Sequence, residues 1–116
     1  MKEQRPLSII IPALNEADYL GYLLFSLSRQ THKDFEVIVS DGASEDETIK
    51  IAKIFETLLP VLKIISSDER SPAHQRNQGV KIARHERLLF LDADVILPPD
   101  FLEKALIEIE EKNLDL

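Results

Sequence analysis

Arg87-Leu88-Leu89-Phe90-Leu91-Asp92-Ala93-Asp94 decides how this chain is read. A run suited to a buried strand leads straight into two carboxylates spaced by a single alanine. The strand supplies rigidity, and the acids sit where it ends. In an open α/β sheet, ligands bind outside the carboxyl ends of the strands. Two acids one residue apart repel each other. A divalent cation, or the hydroxyls and phosphates of a ligand bridged by one, relieves that repulsion. The alternative is that Asp92 and Asp94 only end the strand and cap a turn.

Working outward, Val95-Ile96-Leu97 is a short apolar continuation, punctuated by Pro98-Pro99-Asp100. Phe101, Leu102, Ala105, Leu106 and Ile109 then recur at helical spacing, and the helix is expected to end near Asn113. Upstream, Ala73 to Ala83 reads as a helix with Val80 and Ala83 inward and Gly79 allowing close packing. Before it, Val61 to Ile65 is a strand followed by a polar loop from Ser66 to Pro72. Ser44-Glu45-Asp46-Glu47 has the form of a capping box, opening a helix with Ile51, Ile54, Phe55 and Leu58 on its apolar face and Pro60 as its stop. Phe35 to Val39 is a strand ending in the turn Ser40-Asp41-Gly42-Ala43. Ala17 to Ser28 is an amphipathic helix built on Leu20, Leu23, Leu24 and Leu27. Leu7 to Ile11, bounded by Pro6 and Pro12, is the first buried strand.

The alternation is βαβαβαβα. It predicts an α/β fold with an open, mainly parallel sheet, Rossmann-like, and helices on both faces. The pattern calls for another strand after Leu114-Asp115-Leu116, so the sheet is expected to be incomplete at the C-terminus. An unfinished sheet exposes an edge and an apolar face, from which dimerisation is expected.

Composition narrows the function. A chain of 116 residues, 44% hydrophobic and 30% charged, suits one globular unit. With no cysteine, thiolate metal sites and disulfides are excluded. A net charge of −7 without a basic stripe argues against a nucleic-acid partner. No apolar run approaches the roughly 18 residues of a membrane span. The expected place is the cytoplasm or the cytoplasmic face of a membrane.

In a parallel sheet the strand ends gather on one edge. Here they carry Pro12-Ala13-Leu14-Asn15-Glu16, then Asp41-Gly42, then Ser66 to Arg76, then Asp92-Ala93-Asp94. Acids for a metal, ribose or base stand beside Arg70, His74 and Arg76 for phosphates, a chemically complementary set.

Four segments in this order resemble the N-terminal half of a family 2 glycosyltransferase with the GT-A fold, a nucleotide-diphospho-sugar transferase type. They are Ser8 to Glu16, Val37 to Thr48, Arg76-Asn77-Gln78-Gly79, and Leu88 to Asp94. The resemblance covers essentially the whole chain. It implies that residues 1–116 are the nucleotide-sugar-binding part of such a domain, with the acceptor-binding part absent. By that resemblance Pro12, Ala13, Leu14, Asn15 and Glu16 hold base and ribose, and Asp41 accepts a hydrogen bond from the base. Asp92 lies near the ribose or the metal, and Asp94 coordinates Mn²⁺ or Mg²⁺ bridging the diphosphate. Arg76 and Asn77 match the family's Arg-Asn pair, which shapes the nucleotide pocket; Arg76 could instead hold a loop through an ion pair. Arg70 is a looser candidate for a phosphate contact or a solvated arginine, and His74 is expected at the surface of its helix. Asn15 could also be a helix cap, and Asp41 a turn former.

The implied reaction is inverting transfer of a sugar from a UDP- or GDP-linked donor to an acceptor hydroxyl on a sugar, lipid or protein. The family often has paired acids before the glycine of the second-strand motif, and here the first is Ser40. The general base that inverting transfer requires is expected beyond residue 116. One rival is a non-enzymatic or truncated nucleotide-binding α/β module without turnover. Another is a nucleotidyltransferase, disfavoured because Pro12 to Glu16 has neither the glycines nor the basic residue a triphosphate needs.

Overall fold

A computed structural model describes residues 5–112. The strands are β1 (Leu7–Ala13), β2 (Phe35–Asp41), β3 (Leu62–Ser66) and β4 (Leu88–Phe90). The helices are α1 (Leu20–Ser28), α2 (Thr48–Ile54), α3 (Pro72–Ile82) and α4 (Phe101–Glu111). All strand pairs are parallel, in the order β3-β2-β1-β4. The expected end of α4 near Asn113 lies outside the described residues. Among the described residues no helix is long and apolar enough to cross a membrane.

β1 and β2 are central and buried on both faces. Leu7, Ile9, Ile11 and Ala13 join the core cluster with Leu20, Leu23, Leu24 and Leu27 of α1, Ala52 of α2, and Leu102 and Leu106 of α4. The intervening residues face α3. There Gly79 meets Ile10 so closely that a Cβ would lie 2.6 Å from Ile10 Cγ2. The helices thus cover both faces, as the alternation predicts. α1 has no side-chain cap at its N-terminus, so packing holds it: each buried leucine contributes about 2 kcal/mol.

Four expectations shift, the first on α3: Val80, expected inward, is exposed, and Gln75 and Gly79 are the buried positions. α1 starts at Leu20, not Ala17, because the Glu16 carbonyl accepts from Tyr19 and Leu20 N–H while the Ala17 N–H goes to the Asp46 carboxylate. The capping box does not form. Ser44 Oγ instead donates to Asp41, at 2.5 Å, and Asp46 accepts the Thr48 N–H. The helix therefore begins at Thr48 and turns Thr48 and Ala52 inward, leaving Ile54 and Leu58 exposed. β4, expected as a buried strand, is an edge strand with Phe90 exposed. Its ladder is extended by Ser8 N–H to the Arg87 carbonyl and by Leu91 N–H to the Ile10 carbonyl.

At the end of the sheet where strands begin, a buried carboxylate is closed off. Glu36, paired in register with Ser8, accepts from Ser8 Oγ at 2.5 Å and from Arg84 N–H at 2.6 Å. Lys63 Nζ lies 2.7 Å from Glu36 Oε1, an ion pair off hydrogen-bond geometry, so that oxygen has a counter-charge but no directed bond. Burial pushes the Glu36 carboxyl up, but Lys63, Ser8 and the Arg84 N–H together outweigh it and hold the group below its ordinary value.

Candidate functional site

The strand order carries a consequence for ligand binding. From β1 the chain winds outward to β2 and β3, then returns to place β4 on the other side of β1. The loops after β1 and β4 therefore leave in opposite directions, and the crevice between them is the topological switch point where open α/β sheets bind ligands. A cleft of about 290 Å³ lies there. It is lined by Pro12, Ala13, Leu14 and Glu16 after β1, by Asp92, Ala93 and Asp94 after β4, and by Pro72, Gln75 and Arg76 of α3.

The acids reach the cleft because of the residue between them. Ala93 is buried in the core, whereas Asp92 and Asp94 are exposed in the turn closed by Val95 N–H to the Asp92 carbonyl. Glu16 joins them from the opposite wall. Burial, then Asp94, Asp46 and Asp92, raises its carboxyl above the ordinary value of 4.5. Burial is the larger cause, and the acids that add to it, Asp94, Asp46 and Asp92, lie close enough to act on Glu16. Among the described residues no three acids or histidines converge tightly enough to enclose a metal by themselves. The donor set still fits a hard divalent cation: it offers carboxylate oxygens, carries uncompensated negative charge, and leaves most ligand positions to phosphate oxygens and water.

The β1 loop is laced to the loop after β2. Asn15 adopts a left-handed backbone conformation, φ 52°. Its N–H donates to Ser44 Oγ and its Oδ1 accepts from Glu45 N–H, at 2.9 and 2.8 Å. Glu16 N–H donates to Thr48 Oγ1 at 2.9 Å. Asn15 is thus a cross-loop strut, not a helix cap. Fixing this loop from behind leaves its other side free to line the cleft.

The remaining expected residues divide. Arg76 lines the cleft, and among the described residues it makes no ion pair. Asn77 is exposed and outside it. Asp41 is fully buried, does not line the cleft, and accepts from Ser44 N–H at 2.9 Å as well as from Ser44 Oγ. Arg70 turns away, donating to the Ala43 carbonyl at 2.9 Å and pairing with Glu45. His74 sits on α3 beside Glu69, 3.3 Å away. Asp41, the last residue of β2, has its carboxylate taken by Ser44, and Arg70 is drawn to the Ala43 carbonyl and Glu45; these local bonds keep both side chains out of the cleft that Arg76, which like Arg70 follows β3, does line.

Gln75 was overlooked in the sequence. It is 2% exposed, lines the cleft, and donates through Nε2 to the Ala13 and Ser40 carbonyls. The available signal was Gly79, four residues on, which marks the sheet-facing stripe of α3.

Known proteins resemble this chain in sequence and in fold. The mycobacterial "PGL/p-HBAD biosynthesis glycosyltransferase" of Mycobacterium bovis is 47% identical over 88 residues, 75% of this chain and 34% of that protein. The "uncharacterized glycosyltransferase YfnE" of Bacillus subtilis is 37% identical over 109 residues, 92% of this chain and 28% of that protein. The chain therefore spans about a third or less of the length of these curated relatives. Among solved structures, S. aureus TarS in complex with UDP-GlcNAc superposes with a TM-score of 0.85 at 33% identity, over 94% of this chain and 32% of that one. Mannosyltransferase PcManGT from Pyrobaculum calidifontis, in complex with GDP-Man and Mn²⁺, does so with a TM-score of 0.74 at 29% identity, over 79% of this chain and 28% of that one. The α/β architecture is thus that of GT-A glycosyltransferases. With a family profile described as "Glycosyl transferase family 2" matching residues 8–116, the chain belongs to glycosyltransferase family 2.

Proposed function

We propose that residues 1–116 hold the donor site of an inverting glycosyltransferase, which moves a sugar from a UDP- or GDP-linked donor to an acceptor hydroxyl. The observation that carries this reading is the cleft at the switch point, where Glu16, Asp92 and Asp94 face one another beside Arg76. A neutral ligand would leave that repulsion in place, whereas a cation-bound diphosphate relieves it. The neighbours in complex with UDP-GlcNAc and with GDP-Man and Mn²⁺ support the donor class.

In the proposed reaction the acceptor hydroxyl gives its proton to a base, its oxygen bonds to the anomeric carbon, and the bond from that carbon to the diphosphate breaks. The nucleoside diphosphate departs with the electron pair. Pro12 to Glu16 form the wall for base and ribose, Arg76 faces the phosphates, and Asp94 with Asp92 supplies the metal ligands. Asp41 and Ser44 act from behind, holding the β1 loop in shape. Mn²⁺ or Mg²⁺, when bound, would neutralise charge developing on the leaving diphosphate.

The test is calorimetric titration of UDP and GDP into this chain, with and without Mn²⁺, and into Asp94→Ala. Binding should need the metal and weaken by at least about tenfold in the variant, since even residues that only support metal ligands are worth that much. Nucleotide binding that ignores both the metal and the substitution would overturn the reading.

A further inference from the structure

We propose that Gln75 is a positioning residue for the donor site: its buried carboxamide fastens the ends of β1 and β2 to α3, setting the Pro12 to Glu16 loop at a fixed distance from Arg76. The inference rests on the donor-site reading above and names a residue that this reading does not use.

The geometry is specific. Gln75 Nε2 lies 2.9 Å from the Ala13 carbonyl and 2.8 Å from the Ser40 carbonyl, so both of its N–H groups are engaged. Pro12 stands opposite Ser40 and Ala13 opposite Asp41 in the parallel ladder, and both are the final pairs of the register. Gln75 therefore bonds the two central strands at the point where their mutual pairing stops. Two carbonyl acceptors also determine which end of the amide carries the nitrogen. The Ala13 carbonyl accepts a second bond, from Gly42 N–H at 2.9 Å. On the opposite side Gln75 Oε1 presses on Gly42, where a Cβ would lie 2.8 Å away. Gly42 has no positive φ. It is the amide, not the backbone, that reserves this position for glycine.

The consequence runs along the chain in both directions. Ala13 is the last residue of β1 and itself lines the cleft; Arg76 follows Gln75 directly and lines the opposite wall. A displacement at the amide moves both walls. A residue that only satisfied two carbonyls would affect stability and leave the walls where they are. A residue that positions them changes affinity more than its effect on folding accounts for.

The experiment compares Gln75→Met, which keeps the length and removes both donors, with Ser8→Ala. The latter deletes a buried hydrogen bond at the other end of β1. In ligand-free protein, amide exchange at Gly42 and Glu16 should accelerate about tenfold in Gln75→Met and stay at the wild-type rate in Ser8→Ala. Unchanged exchange in Gln75→Met overturns the proposal whatever the chain binds. For UDP with Mn²⁺, at a temperature where all variants are folded, Kd should rise about tenfold in Gln75→Met only, the loss expected when one well-formed interaction is misplaced. Accelerated exchange with an unchanged Kd, or an equal rise in Ser8→Ala, also overturns it. Wild-type protein that binds neither UDP nor GDP, while the exchange result holds, removes the donor reading and leaves the fastening of the two loops standing. A third comparison isolates the contact. Gly42→Ala should weaken UDP binding in the wild-type background and have no further effect in Gln75→Ala, where the obstructing amide is gone.

Discussion

Where the strands begin, Glu36 is surrounded by groups that suit its charge: the Ser8 hydroxyl, the Arg84 N–H and the Lys63 ammonium. Where they finish, Glu16, Asp92 and Asp94 line one cleft with Arg76 as the cation among its lining residues, and none of these groups forms an ion pair among the described residues. Burial raises both Glu36 and Glu16, but the donors around Glu36 outweigh it and lower that carboxyl, whereas neighbouring acids add to it at Glu16 and raise that one. Acidity alone does not identify a site in this molecule. A compensated buried carboxylate serves the fold, whereas carboxylates held together without compensation are poised for a cation from outside.

The largest test of the contrast is at the compensated end. Glu36→Ala leaves Lys63 without its partner and strips acceptors from Ser8 and the Arg84 N–H. Breaking a buried pair costs 3–5 kcal/mol, and because Lys63 retains access to solvent the expected loss is about 3 kcal/mol in urea unfolding. UDP affinity, measured where the variant is folded, should stay within about twofold, because the cleft is at the other end of the sheet. A small stability change with a large loss of affinity would reverse the assignment of the two ends.

Acid should expose the same difference with a smaller amplitude. The Glu36 carboxyl is lowered from 4.5 in the folded protein. Its contribution is therefore complete above the unfolded value and disappears as pH falls through the folded one. Glu16 is raised from 4.5. Its penalty is present above its folded value and is relieved as pH falls toward 4.5. Stability should change little between neutrality and the ordinary carboxylate range and then fall. Glu36→Gln should flatten that acid limb in a series of urea midpoints; an unaltered limb would mean that other carboxylates govern it.

The sequence and the structure agree most closely where a long apolar run or stripe is buried. The apolar runs of β1 and β2, the leucine stripe of α1 and the place of Asp92-Ala93-Asp94 after a strand were all legible, because burial on one or both faces imposes those patterns. The four loops, however, looked equivalent, and only local bonds in the folded turns separate the side chains that line the cleft from those that do not. Asp41 and Arg70 were grouped with the cleft because their bonds to Ser44 and to Ala43 and Glu45 depend on the path of those turns. α2 was mis-phased because Ser44, a natural cap by spacing, is drawn instead to Asp41, a contact that depends on the path of the turn. Gln75 escaped notice because a polar residue in a helix normally faces water, and only its bonds to the two carbonyls where β1 and β2 end make its burial favourable.

The subtlest test is at the uncompensated end, and it asks whether the acids sense one another before any ligand arrives. Asp94→Asn removes the largest like charge acting on Glu16, while burial, which ranks above it, remains. The Glu16 carboxyl should therefore move down toward 4.5 without reaching it, followed as a carboxyl chemical shift against pH. Relief of one exposed repulsion should leave metal-free stability unchanged or raise it by no more than about 0.5 kcal/mol. Added Mn²⁺ should stabilise the wild-type chain and have a weaker effect on the variant, since a ligand bound only by the folded state raises its stability by mass action. The opposite pattern, an unmoved Glu16 and a destabilised fold, would make Asp94 a structural turn residue and put it with Glu36. The two substitutions thus separate the ends by sign: losing a carboxylate harms the fold where donors surround it and spares the fold where other acids do.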